Sequence, residues 1–168
     1  MLHKLINKAV APLNIPEVSA HCDIPCKIYD PSTAQIATLT MIRMVDLITE
    51  MNDKMPLNLH DQAQLVRLIN EKEAHGLTVK QEVQIIWGDY FKAPQFEQVP
   101  GVNELVHNIM LQASKVKQGV NRDDAMALLT LVNQFAEAFW ATKGVDTYKA
   151  ICPYLPSEAV VYPKLEAL

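Results

Sequence analysis

The chain has 168 residues, enough for one domain that buries its own core. Hydrophobic residues make up 49% and charged ones 20%, and the net charge of -4 gives no electrostatic footprint for nucleic acid or an anionic membrane. Three cysteines, at 22, 26 and 152, are too few for a disulfide scaffold, and no apolar run approaches the roughly 18 residues of a spanning helix.

Residues 1–20 read as a leader. Lys4 and Lys8 precede a mixed stretch in which Pro12 and Asn14 break the only candidate for the about 7–15 consecutive apolar residues of a secretory signal. Val18-Ser19-Ala20 ends in small residues that suit a processing protease, and a cut after Ala20 makes His21 the chain start.

Residues 21–31 then place an imidazole, two thiols and a Pro-directed bend in one short run: His21-Cys22-Asp23-Ile24-Pro25-Cys26-Lys27-Ile28-Tyr29-Asp30-Pro31. The close cysteine pair is more naturally metal-binding or redox-active than structural. The run resembles the nickel-binding hook of nickel superoxide dismutases, His-Cys-Asp-x-Pro-Cys-Gly-x-Tyr-Asp-Pro. Ten of its eleven positions fit, the exception being Lys27, where the family has Gly.

The resemblance implies a propeptide removed before His21 and a metal site built from the new chain start. A free α-amine has an unperturbed pKa of about 8, so a metal displaces its proton near neutral pH. The amine of His21, the amide nitrogen and thiolate of Cys22 and the thiolate of Cys26 then form a plane, with the His21 imidazole left as an axial ligand. Nitrogen and thiolate donors in a plane point to Ni or Cu(II) rather than tetrahedral Zn. Copper oxidises thiolates, which favours one Ni per subunit. By the same resemblance Asp23 and Pro25 brace the hook, Ile24-Pro25 is expected to be cis, and Tyr29 stands at the open axial face and limits access to small anions.

Asp30-Pro31 reads as a helix start. Ala34, Ala37, Met41, Met44, Ile48, Met51 and Met55 follow in steps of three and four, the seam of an antiparallel bundle, and this Met-rich face reads as core. Asn52–Pro56 forms a connection, and Asn58 caps a second helix expected over about 58–90. Leu65, Val66, Leu68 and Ile69 are its expected buried side, Glu71, Lys72 and Glu73 a solvated face, and Gly76 a possible kink.

Trp87-Gly88-Asp89-Tyr90-Phe91-Lys92-Ala93-Pro94-Gln95-Phe96-Glu97 is the second run that resembles the family, which has Trp-Ser-Asp-Tyr-Phe-Lys-Pro-Pro-His-Phe-Glu there. The resemblance puts Tyr90 and Lys92 near the metal or an interface covering it. A third helix after Pro100 turns Val102, Leu105, Val106, Ile109, Met110 and Ala113 inward. A fourth, opened by Asn121, carries a broad apolar face from Ala125 to Trp140. Phe139-Trp140-x-Thr142-Lys143 matches the end of the usual family chain. The expected fold is all-α: a leader (1–20), a hook (21–31), an up-down-up-down four-helix bundle (32–143) and an extended C-terminal arm (144–168).

Two positions depart from the family beside Lys27. A Glu that orients the axial imidazole in the family falls at Ala37, and the Arg of the same network falls, by a gap-free count back from Trp87, at His75; either His75 substitutes as a partner for His21 or another group holds it. The implied activity is superoxide dismutation by Ni(II)/Ni(III) cycling, in a cytoplasmic homohexamer, with His21, Cys22, Cys26, Tyr29 and Tyr90 at the catalytic centre. Two other readings stand beside it: a non-catalytic nickel-binding or structural bundle derived from the family, and a redox switch in which Cys22 and Cys26 pair while the leader stays on.

Overall fold

The structure is a computed structural model, and it describes residues 27–166. His21, Cys22, Asp23, Pro25 and Cys26, the leader and the expected cis bond before Pro25 lie outside the described residues.

Asp30 starts the first helix by accepting the Ser32 backbone N–H on Oδ1 at 2.8 Å, and α1 runs Ser32–Glu50. Its three-four spacing buries Ala34, Ala37, Met41, Ile42 and Val45 on one face. A 3-10 turn, Met51–Lys54, leads into α2, Leu59–Ile85, where Asn58 Oδ1 caps the Asp61 N–H at 3.0 Å. Helix α2 passes through Gly76 without a break and closes in a π-helical turn, Ile86–Tyr90. The short α3, Ala93–Gln98, precedes α4, Val102–Gln118, and Asn121 caps α5, Arg122–Thr142.

The long helices form a closed ring in which α1 packs on α2, α2 on α4, α4 on α5, and α5 back on α1. Short connections make successive long helices antiparallel, so the expected four-helix bundle is the observed one. Its centre holds Val79, Val83, Phe91, Ile109, Leu128, Phe135 and Phe139. Each such side chain contributes roughly 1.5–3 kcal/mol by leaving water.

Two expectations about α2 are corrected. Leu65 and Leu68 are only half-buried and Val66 and Ile69 are exposed, because periodicity fixes which residues share a face but not whether a neighbour covers it. Lys72 is not solvated but 2% exposed. Its ammonium donates to the Val116 carbonyl at 2.8 Å and to that of Lys117, closing the C-terminal turn of α4 where carbonyls lack helical partners. Gly76 lies one turn on because a Cβ there would come within 2.7 Å of Lys117 Cδ.

The C-terminal arm is a hairpin, β1 (Thr147–Ile151) paired antiparallel with β2 (Ala159–Pro163), and Tyr148 stands opposite Tyr162. It packs on α5 and adds Cys152 and Val160 to the core. Asn133 fastens it by accepting the Val161 N–H at 3.1 Å and donating to the Ala159 carbonyl at 3.0 Å. Gln35, from α1, donates to the Val161 carbonyl at 2.9 Å and to Asn133 Oδ1 at 3.2 Å. Arg122 ties the same corner by pairing with Asp46 and Glu158.

Candidate metal centre

The described chain begins at one end of the bundle, where the start of α1 meets the ends of α2 and α5. Lys27 adopts φ 60, a left-handed conformation that costs most residues roughly 1–2 kcal/mol and glycine almost nothing. The Gly of the resembling run would take this conformation without that cost, and Lys27 takes it with its side chain in solvent.

Two residues on, Tyr29 is half-buried and its ring lies 5.7 Å from that of Tyr90. The π-helical turn at the end of α2 sets Tyr90; such single wide turns re-aim the residues that follow them and recur at functional sites. The Tyr90 ring also packs on Phe139 at 5.0 Å and edge-on against Phe91 at 5.4 Å. Its hydroxyl lies 2.7 Å from Thr142 Oγ1, and the Lys143 ammonium sits 4.3 Å above its ring. The four rings and the Lys143 ammonium thus hold one another by face and edge contacts and a cation–π contact.

Lys92 stays close but is engaged elsewhere: its ammonium donates to the Gly88 carbonyl at 2.9 Å, while Gln95 caps its backbone N–H at 3.1 Å. The structure therefore brings Tyr29 and Tyr90 together and turns the Lys92 head to the backbone. Thr142 and Lys143 are further site residues: the run Phe139-Trp140-x-Thr142-Lys143 marks the end of the usual family chain, and the fold brings both against Tyr90. Ala37 is buried in the core. His75 is held by Glu71, Nε2 to Oε1 at 3.1 Å, and its Nδ1 is buried with no hydrogen-bond partner among the described residues.

Among the described residues no three His, Cys, Asp or Glu side chains group to hold a metal ion. His21, Cys22 and Cys26, whose nitrogen and soft thiolate donors would suit nickel, lie outside the described residues.

The sequence profile of the nickel-containing superoxide dismutases matches residues 16–143. The chain belongs to that family. It is 33% identical over 129 residues to the nickel superoxide dismutase of Streptomyces seoulensis, covering 76% of this chain and 91% of that protein. The enzyme of Streptomyces coelicolor is 32% identical over 126 residues, with 75% and 90% covered. Among solved structures, a native nickel superoxide dismutase superposes with a TM-score of 0.65 at 29% identity, covering 73% of this chain and 99% of that one. An oxidised-state structure gives the same TM-score and identity, with 74% and 99% covered. Membership in the family makes the chain an oxidoreductase that uses nickel, with superoxide as substrate. The matched region ends at Lys143, so the β1–β2 hairpin lies beyond it.

Proposed function

We propose that this chain disproportionates superoxide at a nickel ion held by a chain start at His21. His21 supplies amine and imidazole, Cys22 its amide nitrogen and thiolate, and Cys26 the second thiolate. Bound nickel supplies the one-electron oxidation and reduction, through its divalent and trivalent states. Asp23 and Pro25 brace the ligand segment, and Tyr29 and Tyr90 narrow the approach so that only a small anion enters. Lys143, over the Tyr90 ring, places a positive charge at that approach, which suits an anionic substrate.

The observation that supports this most strongly is the 5.7 Å Tyr29–Tyr90 pair under Lys143. Two residues, Lys27 and Ile28, separate Cys26 from Tyr29, a tether of at most about 11 Å, which supports reading the Cys26 end of the ligand run together with these tyrosines.

The reading includes removal of residues 1–20 by a protease, a cytoplasmic location and a homohexamer. No helix among the described residues is long and apolar enough to cross a membrane. Support for assembly comes from the outward side of α2, where Leu59, Val66 and Leu77, separated by seven and eleven residues, form an exposed apolar stripe.

Cys22→Ser and Cys26→Ser test the ligand assignment. Each is expected to lose both bound nickel, by elemental analysis, and superoxide consumption, with the helical content of the wild type. Nickel and activity retained in either variant would refute it.

A further inference from the structure

At the end of α5, three oxygens stand in a row. Tyr90 Oη lies 2.7 Å from Thr142 Oγ1, and Thr142 Oγ1 lies 2.6 Å from the Phe139 carbonyl oxygen. A carbonyl only accepts, and a threonine hydroxyl has a single proton to give. The Phe139 carbonyl therefore takes the Thr142 proton, and Thr142 Oγ1 is left to accept from Tyr90. Hydroxyl protons are assigned from such networks, and among the described residues the order Tyr90 to Thr142 to the Phe139 carbonyl gives each donor an acceptor.

We propose that Thr142 is the positioning residue of Tyr90, committing its phenol proton into the protein so that toward the ligand segment Tyr90 acts as a hydrogen-bond acceptor. The inference rests on the superoxide dismutase reading for its catalytic meaning, but its geometry stands without it. The row ends at a carbonyl, which cannot pass a proton on, so Thr142 does not resupply Tyr90 from solvent. The lone pair of Tyr90 instead orients a proton-bearing group, a water or the hydrogen peroxide product, while the Lys143 ammonium on the ring face and the Phe139 ring hold the phenol in plane. Tyr90 thus orients a bound group rather than protonating it.

The test compares Thr142→Val, which keeps the shape and removes the acceptor, with Thr142→Ser, which keeps the hydroxyl. In the folded full chain, the Raman tyrosine doublet of Tyr90, isolated as the difference from Tyr90→Phe, reports whether the phenol donates or accepts. The wild type and Thr142→Ser are expected to show a donor phenol, and Thr142→Val to lose that signature. On nickel-loaded, processed protein, kcat for superoxide is expected to fall about three- to tenfold in Thr142→Val and to recover in Thr142→Ser. A doublet unchanged in Thr142→Val, or Thr142→Ser as impaired as Thr142→Val, would overturn the proposal. A wild type with a donor phenol and no superoxide turnover would instead overturn the functional reading, leaving this hydrogen-bond assignment in place.

Discussion

Between Glu71 and Glu73, Lys72 belongs to a run of charge that reads as solvent-facing, yet its amine lies under the last turn of α4. Burial pushes its pKa below the usual lysine range, with Glu73 working against the shift and Lys117 adding to it. The unfolded chain then holds the proton more tightly than the native one. Stability gained from this group is expected to rise with pH between its lowered native value and about 10.4, and to be flat below that interval. Chemical denaturation of wild type and Lys72→Met across neutral to alkaline pH checks the sign; a wild-type advantage that shrinks as pH rises would contradict it. At neutral pH Lys72→Met is expected to cost about 1–3 kcal/mol, through the Val116 and Lys117 carbonyls it leaves without their donor. Sequence spacing did not reveal Lys72, because only a tertiary neighbour, the end of a helix some forty residues away, makes a lysine the right residue to bury there.

At the scale of elements, the helices were legible and their surroundings were not. The Asn58 and Asn121 caps and the inward faces of α4 and α5 follow directly from residue type and period. The start of α2 follows the same logic only in part, because Leu65 and Leu68 are half-covered while Val66 and Ile69 are exposed among the described residues. The tail was legible only as aromatic and Pro-rich. Its hairpin docks through Asn133 and Gln35, two polar residues on helical faces that give no local sign of a partner some 26 to 126 residues distant. Asn133→Ala leaves the Val161 N–H and the Ala159 carbonyl unpaired, each worth about 1–3 kcal/mol if they stay buried. The hairpin is therefore expected to open more often and expose Cys152, which is 1% accessible when docked. In a background lacking Cys22 and Cys26, labelling of Cys152 by a thiol reagent is expected to accelerate at least about tenfold in Asn133→Ala. An unchanged labelling rate would show that Asn133 does not hold the hairpin down.

For the whole molecule, the bundle is a frame that presents Tyr29, Tyr90, Thr142 and Lys143 at one end and leaves the apolar stripe of α2 outside. The candidate site was legible at Tyr29 and Tyr90 because both lie in runs that match the family. Thr142 and Lys143 gain their roles only where α5 ends against α2, a juxtaposition no local pattern encodes. If copies of the chain pack through α2, Val66→Glu with Leu77→Glu is expected to yield monomers on sedimentation while the helical signal is kept. An assembly of unchanged mass would put the interface elsewhere.

The claim on which the account turns is that the enzyme begins at His21 and binds nickel there. Native mass spectrometry of protein purified from its own cell, read together with a superoxide assay, tests it most directly. The expected result is an active chain starting at His21 with one nickel per subunit. Active protein that still carries residues 1–20, or a His21 chain start that binds no nickel, would contradict it.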